Sequence, residues 1–196
     1  MLKRLSLLAA VLTAFAFALY ASGDKPEPAP KQLPIPEMKF NDVKEIAPGV
    51  FFRYSSISAN DTKIKFGGSN HTWIVFKEYV VVVDANFPAE AADVIADIKK
   101  TTKKPIKYVL DTHHHGDHAY GNTIWAKEGA KIVAHKNAAR LLKTNGPKQW
   151  EEAAKDRKDI KDYELKQVDI SFDDEYELKD DTQHVVFKHF GHMHTA

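Results

Sequence analysis

Four of the chain's ten histidines fall between His113 and His118, in the string Thr112-His113-His114-His115-Gly116-Asp117-His118. Imidazole and carboxylate are the ligands that zinc takes in the absence of thiolate. His113 and His115 are two residues apart, so in an extended segment their side chains leave the same face. Converging there, they can occupy two corners of a tetrahedral zinc site. Gly116 lets the chain turn sharply, which can bring Asp117 and His118 to a second position beside the first. Near a helix start, Asp117 is also favoured in its ionised, ligating form. A solvated histidine tract would leave both the preceding strand and the place of the aspartate unexplained. The string therefore reads as a metal site. Zinc lowers the pKa of a bound water to about 7, so the chemistry expected is hydrolysis, with hydroxide attacking a carbonyl or phosphoryl centre. Asp117 can orient that nucleophile and later pass a proton to the leaving group.

The elements that must hold this string alternate in a readable way. Residues 50–57, 71–77 and 79–84 are short apolar runs, with a Gly67-Gly68 turn signal ahead of the second. Val80 to Val83 is unbroken valine, the pattern of a strand buried on both faces. Residues 88–100 switch to helical spacing, with Ala91, Val94, Ile95 and Ile98 on one stripe and Pro88 at the start, where its missing N–H does no harm. A strand over 106–111 then leads into the histidine string, followed by a helix over 119–129 and a strand over 131–135. Helices are expected over 137–144 and 147–158, the latter with Trp150, Ala153, Ala154 and Arg157 on one side as core rather than binding surface. Strands over 168–172 and 184–190 close the pattern. Strand turns followed by strand–helix alternation imply an α/β protein whose sheet faces are covered by helices.

Composition limits what else the chain can do. Lys plus Arg (28) nearly balances Asp plus Glu (27), so no basic field exists to hold a nucleic-acid backbone. Cysteine is absent, which excludes disulfides, thiol nucleophiles and cysteine-ligated zinc. Lys3 and Arg4 precede an uncharged run over residues 5–21, and Ala21-Ser22-Gly23 offers small residues to a signal peptidase. Residues 1–23 are expected to be a signal peptide, cleaved before Asp24, that sends the product to the periplasm or outside the cell. An uncleaved membrane anchor is the competing reading, although the run is at the lower limit for spanning a bilayer. Residues 24–39 carry five prolines and read as a stiff linker, leaving 40–196 as the folded domain. After cleavage no stable membrane insertion is expected.

The string His113 to His118, followed by Ala119-Tyr120-Gly121-Asn122, closely resembles the metal motif of the metallo-β-lactamase superfamily. The strand ending at Asp84 is similar to the family strand before its first helix. Phe190-Gly191-His192-Met193-His194-Thr195 resembles the later segment whose histidine before threonine supplies another ligand. The resemblance implies an αββα sandwich with the site at one edge between two sheets. It also implies a first zinc held by His113, His115 and His194, and a second zinc approached by Asp117 and His118. Asp84 would accept hydrogen bonds that fix the metal loop, or would simply form a strand-end turn. His114 should point away from the site, and His192 could line it. His71, His135, His184 and His189 read as ordinary strand or surface residues. Residues 64–69, with Phe66, occupy the place of the family's mobile flap or form a plain hairpin tip. Tyr120 and Trp125 line the pocket or pack.

The family pattern continues beyond the position of Thr195, with a metal-bridging residue and a final histidine for the second zinc. Only Ala196 follows here. Two zinc ions are expected from the family pattern, and the sequence fully ligates one. It reads as an incomplete, C-terminally shortened domain, with a naturally mononuclear protein as the other reading. The function expected is an exported zinc-dependent hydrolase in which a zinc-bound hydroxide attacks an ester, lactone, thioester or β-lactam carbonyl of a small-molecule substrate. A non-catalytic periplasmic zinc-binding protein is the alternative. The histidine form also occurs in hydroxyacylglutathione hydrolases, which act mainly in the cytoplasm, so the leader weighs against that choice.

Overall fold

A meander of neighbouring strands opens the fold and a run of parallel crossovers extends it. The structure is a computed structural model that describes residues 39–55, 68–191 and 194–195. The expected signal peptide, almost all of the linker, His192, and Phe66 with most of the proposed flap lie outside the described residues. Strands β1 (Val43–Ala47), β2 (Val50–Arg53), β3 (His71–Val75) and β4 (Val80–Val83) pair antiparallel in sequence order. Helix α1 (Pro88–Thr101) then crosses to β5 (Ile106–Asp111), which lies parallel to β4. Two short helices, α2 (Gly116–Ala119) and α3 (Asn122–Lys127), lead to β6 (Lys131–His135), and the sheet stays parallel. Helices α4 (Lys136–Thr144), α5 (Gly146–Asp156) and α6 (Lys158–Lys161) precede β7 (Ile170–Phe172), the seventh strand in the order β1-β2-β3-β4-β5-β6-β7. Strands β8 (Glu175–Lys179) and β9 (His184–Lys188) form a separate two-stranded antiparallel sheet.

The valines of β4 are divided between two cores, as a strand buried on both faces requires. Val80 and Val82 pack with Trp73, Trp125 and the α1 stripe Ala91, Val94, Ile95 and Ile98. Val81 faces the other way, into a cluster with Ile74, Phe76, Leu110, Val133, Phe172 and Leu178. That second cluster fills the space between the two sheets, because Leu178 belongs to β8 and Val185 and Phe187 of β9 pack against it. The described residues thus build a helical layer, a seven-stranded sheet and a second sheet. Among them, no helix is long and apolar enough to cross a membrane.

The expected α/β class holds, and α1, β5 and β6 lie where their patterns place them. Of the helix expected over 119–129 only 122–127 forms, as α3, with Ala119 closing α2. Gly121 is the cause: its N–H donates to the Asn86 carbonyl at 2.5 Å, and a Cβ there would collide with the Ala85 carbonyl oxygen. The chain gives up helical continuity so that the backbone after β4 can dock against it. The helix expected over 147–158 also divides, into α5 and α6. Trp150 is buried as core with Tyr120 and Ile160, while Arg157 pairs with Glu90 at 2.7 Å and lies 3.8 Å from the Phe87 ring centre. Strand β8 was not foreseen, because Glu175, Glu177 and Lys179 mask it, yet its alternation of exposed charges with Tyr176 and Leu178 is that of a one-faced strand.

Candidate metal centre

Strand β5 ends at Asp111 and delivers the histidines to the edge between the two sheets. His115 remains extended, at φ −67° and ψ 155°, and α2 starts at Gly116. The His115 carbonyl accepts from the N–H groups of both His118 and Ala119, which closes the turn that swings Asp117 and His118 back toward His113. Glycine is needed at 116 because a Cβ would fall 2.7 Å from the Tyr120 ring and 3.2 Å from Phe87.

His113, His115 and His194 converge. Each offers one ring nitrogen, and these three atoms lie within 4.8 Å of one another. The ring centres of His113 and His115 are 4.7 Å apart, and each is 5.1 Å from that of His194. His113 Nε2 is buried and has no hydrogen-bond partner. An orphaned buried nitrogen is costly, and a metal ion coordinated by the trio would satisfy it. Burial, then the neighbouring His118, lowers the His113 pKa to about 4. His115 is also lowered, by burial and then by His194. Both rings are therefore held neutral, the form in which imidazole ligates.

A single carboxylate organises the rest. Asp84 accepts from the Thr112 N–H at 2.7 Å and from the Thr112 hydroxyl at 2.8 Å, while His118 Nδ1 lies 2.9 Å from its other oxygen. Because a carboxylate only accepts, the Thr112 hydroxyl must spend its proton on Asp84. Its oxygen is then left to accept from His113 Nδ1, 3.0 Å away, and His113 must carry its lone pair on Nε2. Asp84 thus sets the orientation of His118 directly and of His113 through Thr112. It does so from a left-handed backbone at φ 64°, unusual for a residue with a Cβ. His118 Nε2 lies 3.4 Å from Asp117. Burial alone would lower the His118 pKa, but hydrogen bonds and charge from Asp117 and Asp84 outweigh it and raise it to about 10. Asp117 is lowered, first by its hydrogen bond with His118, and is ionised at neutral pH.

All five ligands expected from the sequence lie at this one edge, His194 among them. His114 is buried and stands outside the trio, as expected. Trp125 packs in the core and donates to the Ala85 carbonyl, whereas Tyr120, also buried, helps to wall a cavity beside Asp117. The reading of His71, His135 and His189 as ordinary residues needs correction. His71 is fully buried in electrostatic reach of Asp84, Arg53 and His118, with the Ser69 backbone beside it but no hydrogen bond of good geometry to either ring nitrogen. His135 and His189 stack face to face beside the trio. Asp111 was also missed. It accepts from Asn122 at 2.7 Å, and burial pushes its pKa well above the carboxylate range despite that bond. A carboxylate ending an apolar strand was the available signal.

Two cavities flank the trio. One of about 240 Å³ is walled by Thr112, His113, His135, Lys188, His189 and His194. The other, about 330 Å³, is walled by Phe87, His115, Asp117, Tyr120, Gln149 and Ala153. The centre therefore has one side of mixed lining that carries Lys188 together with His135 and His189, and another that is largely apolar.

Residues 64–196 match the family model of the metallo-beta-lactamase superfamily. Over 87 residues the chain is 36% identical to the probable hydroxyacylglutathione hydrolase glo2 of Schizosaccharomyces pombe, a match covering 42% of this chain and 34% of that one. Among solved structures, a metallo-beta-lactamase from Pontibacter korlensis superposes with a TM-score of 0.55 at 18% identity, covering 73% of this chain and 57% of the other. The metallo-beta-lactamase FIM-1 from Pseudomonas aeruginosa, in its mono-zinc form, gives 0.51 at 21% identity, covering 73% and 56%. At these identities the structural likeness is one of fold. The chain spans a little over half the length of the solved relatives.

Proposed function

Because the chain belongs to the metallo-beta-lactamase superfamily, we propose that it is an exported zinc-dependent hydrolase of small-molecule esters, lactones, thioesters or β-lactams. The observation that carries this reading is the trio of His113, His115 and His194, with the buried, unpartnered Nε2 of His113 facing it. The donor set is all imidazole, suited to a catalytic zinc with an open position. When bound, zinc acidifies a water and polarises the scissile carbonyl.

The chain's own groups do the rest. His113, His115 and His194 would hold one ion, and Asp117 with His118, once its imidazolium gives up a proton to solvent, would contribute to a second. Asp84 and Thr112 keep the two imidazoles turned with Nε2 toward the reacting centre. Asp117 is ionised and beside the trio, so it takes the proton of the attacking water and returns it to the leaving group. Phe87 and Tyr120 give the Asp117 side an apolar wall, and Lys188 on the opposite side is placed to meet a charged or polar end of a substrate. The uncharged run at residues 5–21 supports export with cleavage before Asp24.

Likeness to a probable hydroxyacylglutathione hydrolase is the reason to try a thioester first. The test measures zinc content and turnover together over thioester, lactone, β-lactam and ester probes. Turnover that is lost on chelation, restored by zinc and absent in His115→Ala is the expected result. Stoichiometric zinc with no turnover of any probe would overturn the enzyme reading in favour of a zinc-binding protein.

A further inference from the structure

We propose that the stacked imidazoles of His135 and His189 are the joint that positions His194 against His113 and His115. The inference rests on the metal-centre reading and adds two positioning residues to it. His135 ends β6 in the large sheet, and His189 follows β9 in the small one. Their ring centres are 3.7 Å apart and their planes differ by 6°. The pair bridges the two sheets at the edge where the metal ligands gather.

His135 is a fixed platform. It is nine-tenths buried, with 7% of its surface exposed, and it caps α4 by accepting the Asn137 N–H on Nδ1 at 3.3 Å. Accepting there places its proton on Nε2 and leaves the ring little freedom to rotate. The Phe172 ring packs edge-on against it at 5.6 Å. His189 rests on this platform, and its backbone N–H donates to the Asp174 carbonyl at 2.9 Å.

At Phe190 and Gly191 that support ends. Phe190 is 80% exposed, and Gly191 has a left-handed φ of 98° with open space where a side chain would be. Among the described residues, the stack is thus the last anchor before His194. His113 and His115 need no such device, since β5 and α2 carry them. His194 reaches the trio from the other sheet, so its register depends on how the sheets are joined at this end. The far end is tied separately, where Asp180 accepts from the Lys77 N–H at 2.7 Å.

The pair is poorly arranged to ligate metal itself. Parallel rings carry their nitrogens side by side rather than toward one point, and Nδ1 of His135 is already engaged. What the joint requires is a flat ring at 189, not a nitrogen.

Equilibrium titration of the full chain with Co(II), followed by its visible absorption, tests the proposal without relying on activity. His189→Ala should weaken binding by about 10–100-fold, the range seen when a partner that orients a ligand is lost. His189→Phe, which keeps a flat ring, should retain most of the affinity. In an His194→Ala background, His189→Ala should cause no further loss, because its effect runs through His194. Should His189→Ala fail to fold, His189→Gln, which keeps bulk but not the ring, serves in its place. Unchanged affinity, a full loss in His189→Phe, or an undiminished effect without His194 would each overturn the proposal. His113→Ala separates the two levels. If it leaves Co(II) binding intact, the metal centre itself is misassigned; if it abolishes binding while His189→Ala does not weaken it, only the joint is.

Discussion

Asp84 and His71 show how much of the centre depends on residues that touch no substrate. Asp84 can satisfy the Thr112 N–H, the Thr112 hydroxyl and His118 Nδ1 because both of its oxygens accept. Asp84→Asn keeps the shape but turns one oxygen into a donor, so the Thr112 hydroxyl or the His118 tautomer must rearrange to accept from it. Chemical denaturation should show a loss of about 1–3 kcal/mol, accompanied by weaker zinc binding; an unchanged midpoint would mean that Asp84 only shapes the turn. His71 is a different case, a fully buried ring whose nitrogens lack hydrogen bonds of good geometry. Burial lowers its pKa to about 3, with Arg53 and His118 adding to the effect and Asp84 opposing it. Its folded pKa lies below the unfolded value, so the unfolded chain binds more protons between about pH 6.5 and 3. Stability from the neutral ring is therefore full above pH 6.5 and is lost as the pH falls through that window. His71→Leu removes the ring, so its unfolding free energy should fall less steeply between pH 6.5 and 4 than that of the parent. Parallel pH profiles would contradict this. His113, His115, Asp117 and His118 could be read from the sequence because they cluster within a few residues. His71 and the His135–His189 stack could not, since their roles arise only from contacts across strands distant in sequence.

At the scale of elements, local pattern sufficed where one periodicity decided the outcome. The α1 stripe, the valine run of β4 and the apolar approach of β5 specify their own conformations. Pattern failed where tertiary contact overrode it. Residues 119–129 have helical composition, yet Gly121 stops the helix so that its N–H can reach the Asn86 carbonyl. The same docking ties the Ala85 N–H to the His118 carbonyl at 2.6 Å, so the strand-end loop and the metal helix are held as one piece. Gly121→Ala would place a methyl group against the Ala85 carbonyl oxygen, with rigid backbone on both sides. The expected cost is about 1–3 kcal/mol, as for other overpacked sites, read as a lowered denaturation midpoint together with weaker zinc binding. If the midpoint fell while zinc affinity held, the docking would support the fold alone.

For the whole molecule, the centre is an assembly of two sheets. The seven-stranded sheet and its helices carry His113, His115, Asp117 and His118, while the segment after β9 carries His194. The motif announced the first group, and the family resemblance supplied the last. These two parts are expected to meet around one zinc ion. Zinc-edge X-ray absorption on the full chain, loaded with one equivalent of zinc, tests it most directly. Three imidazole nitrogens at about 2.0–2.1 Å are expected, one of which disappears in His194→Ala. A shell without imidazole scattering, or one that His194→Ala leaves unchanged, would contradict it.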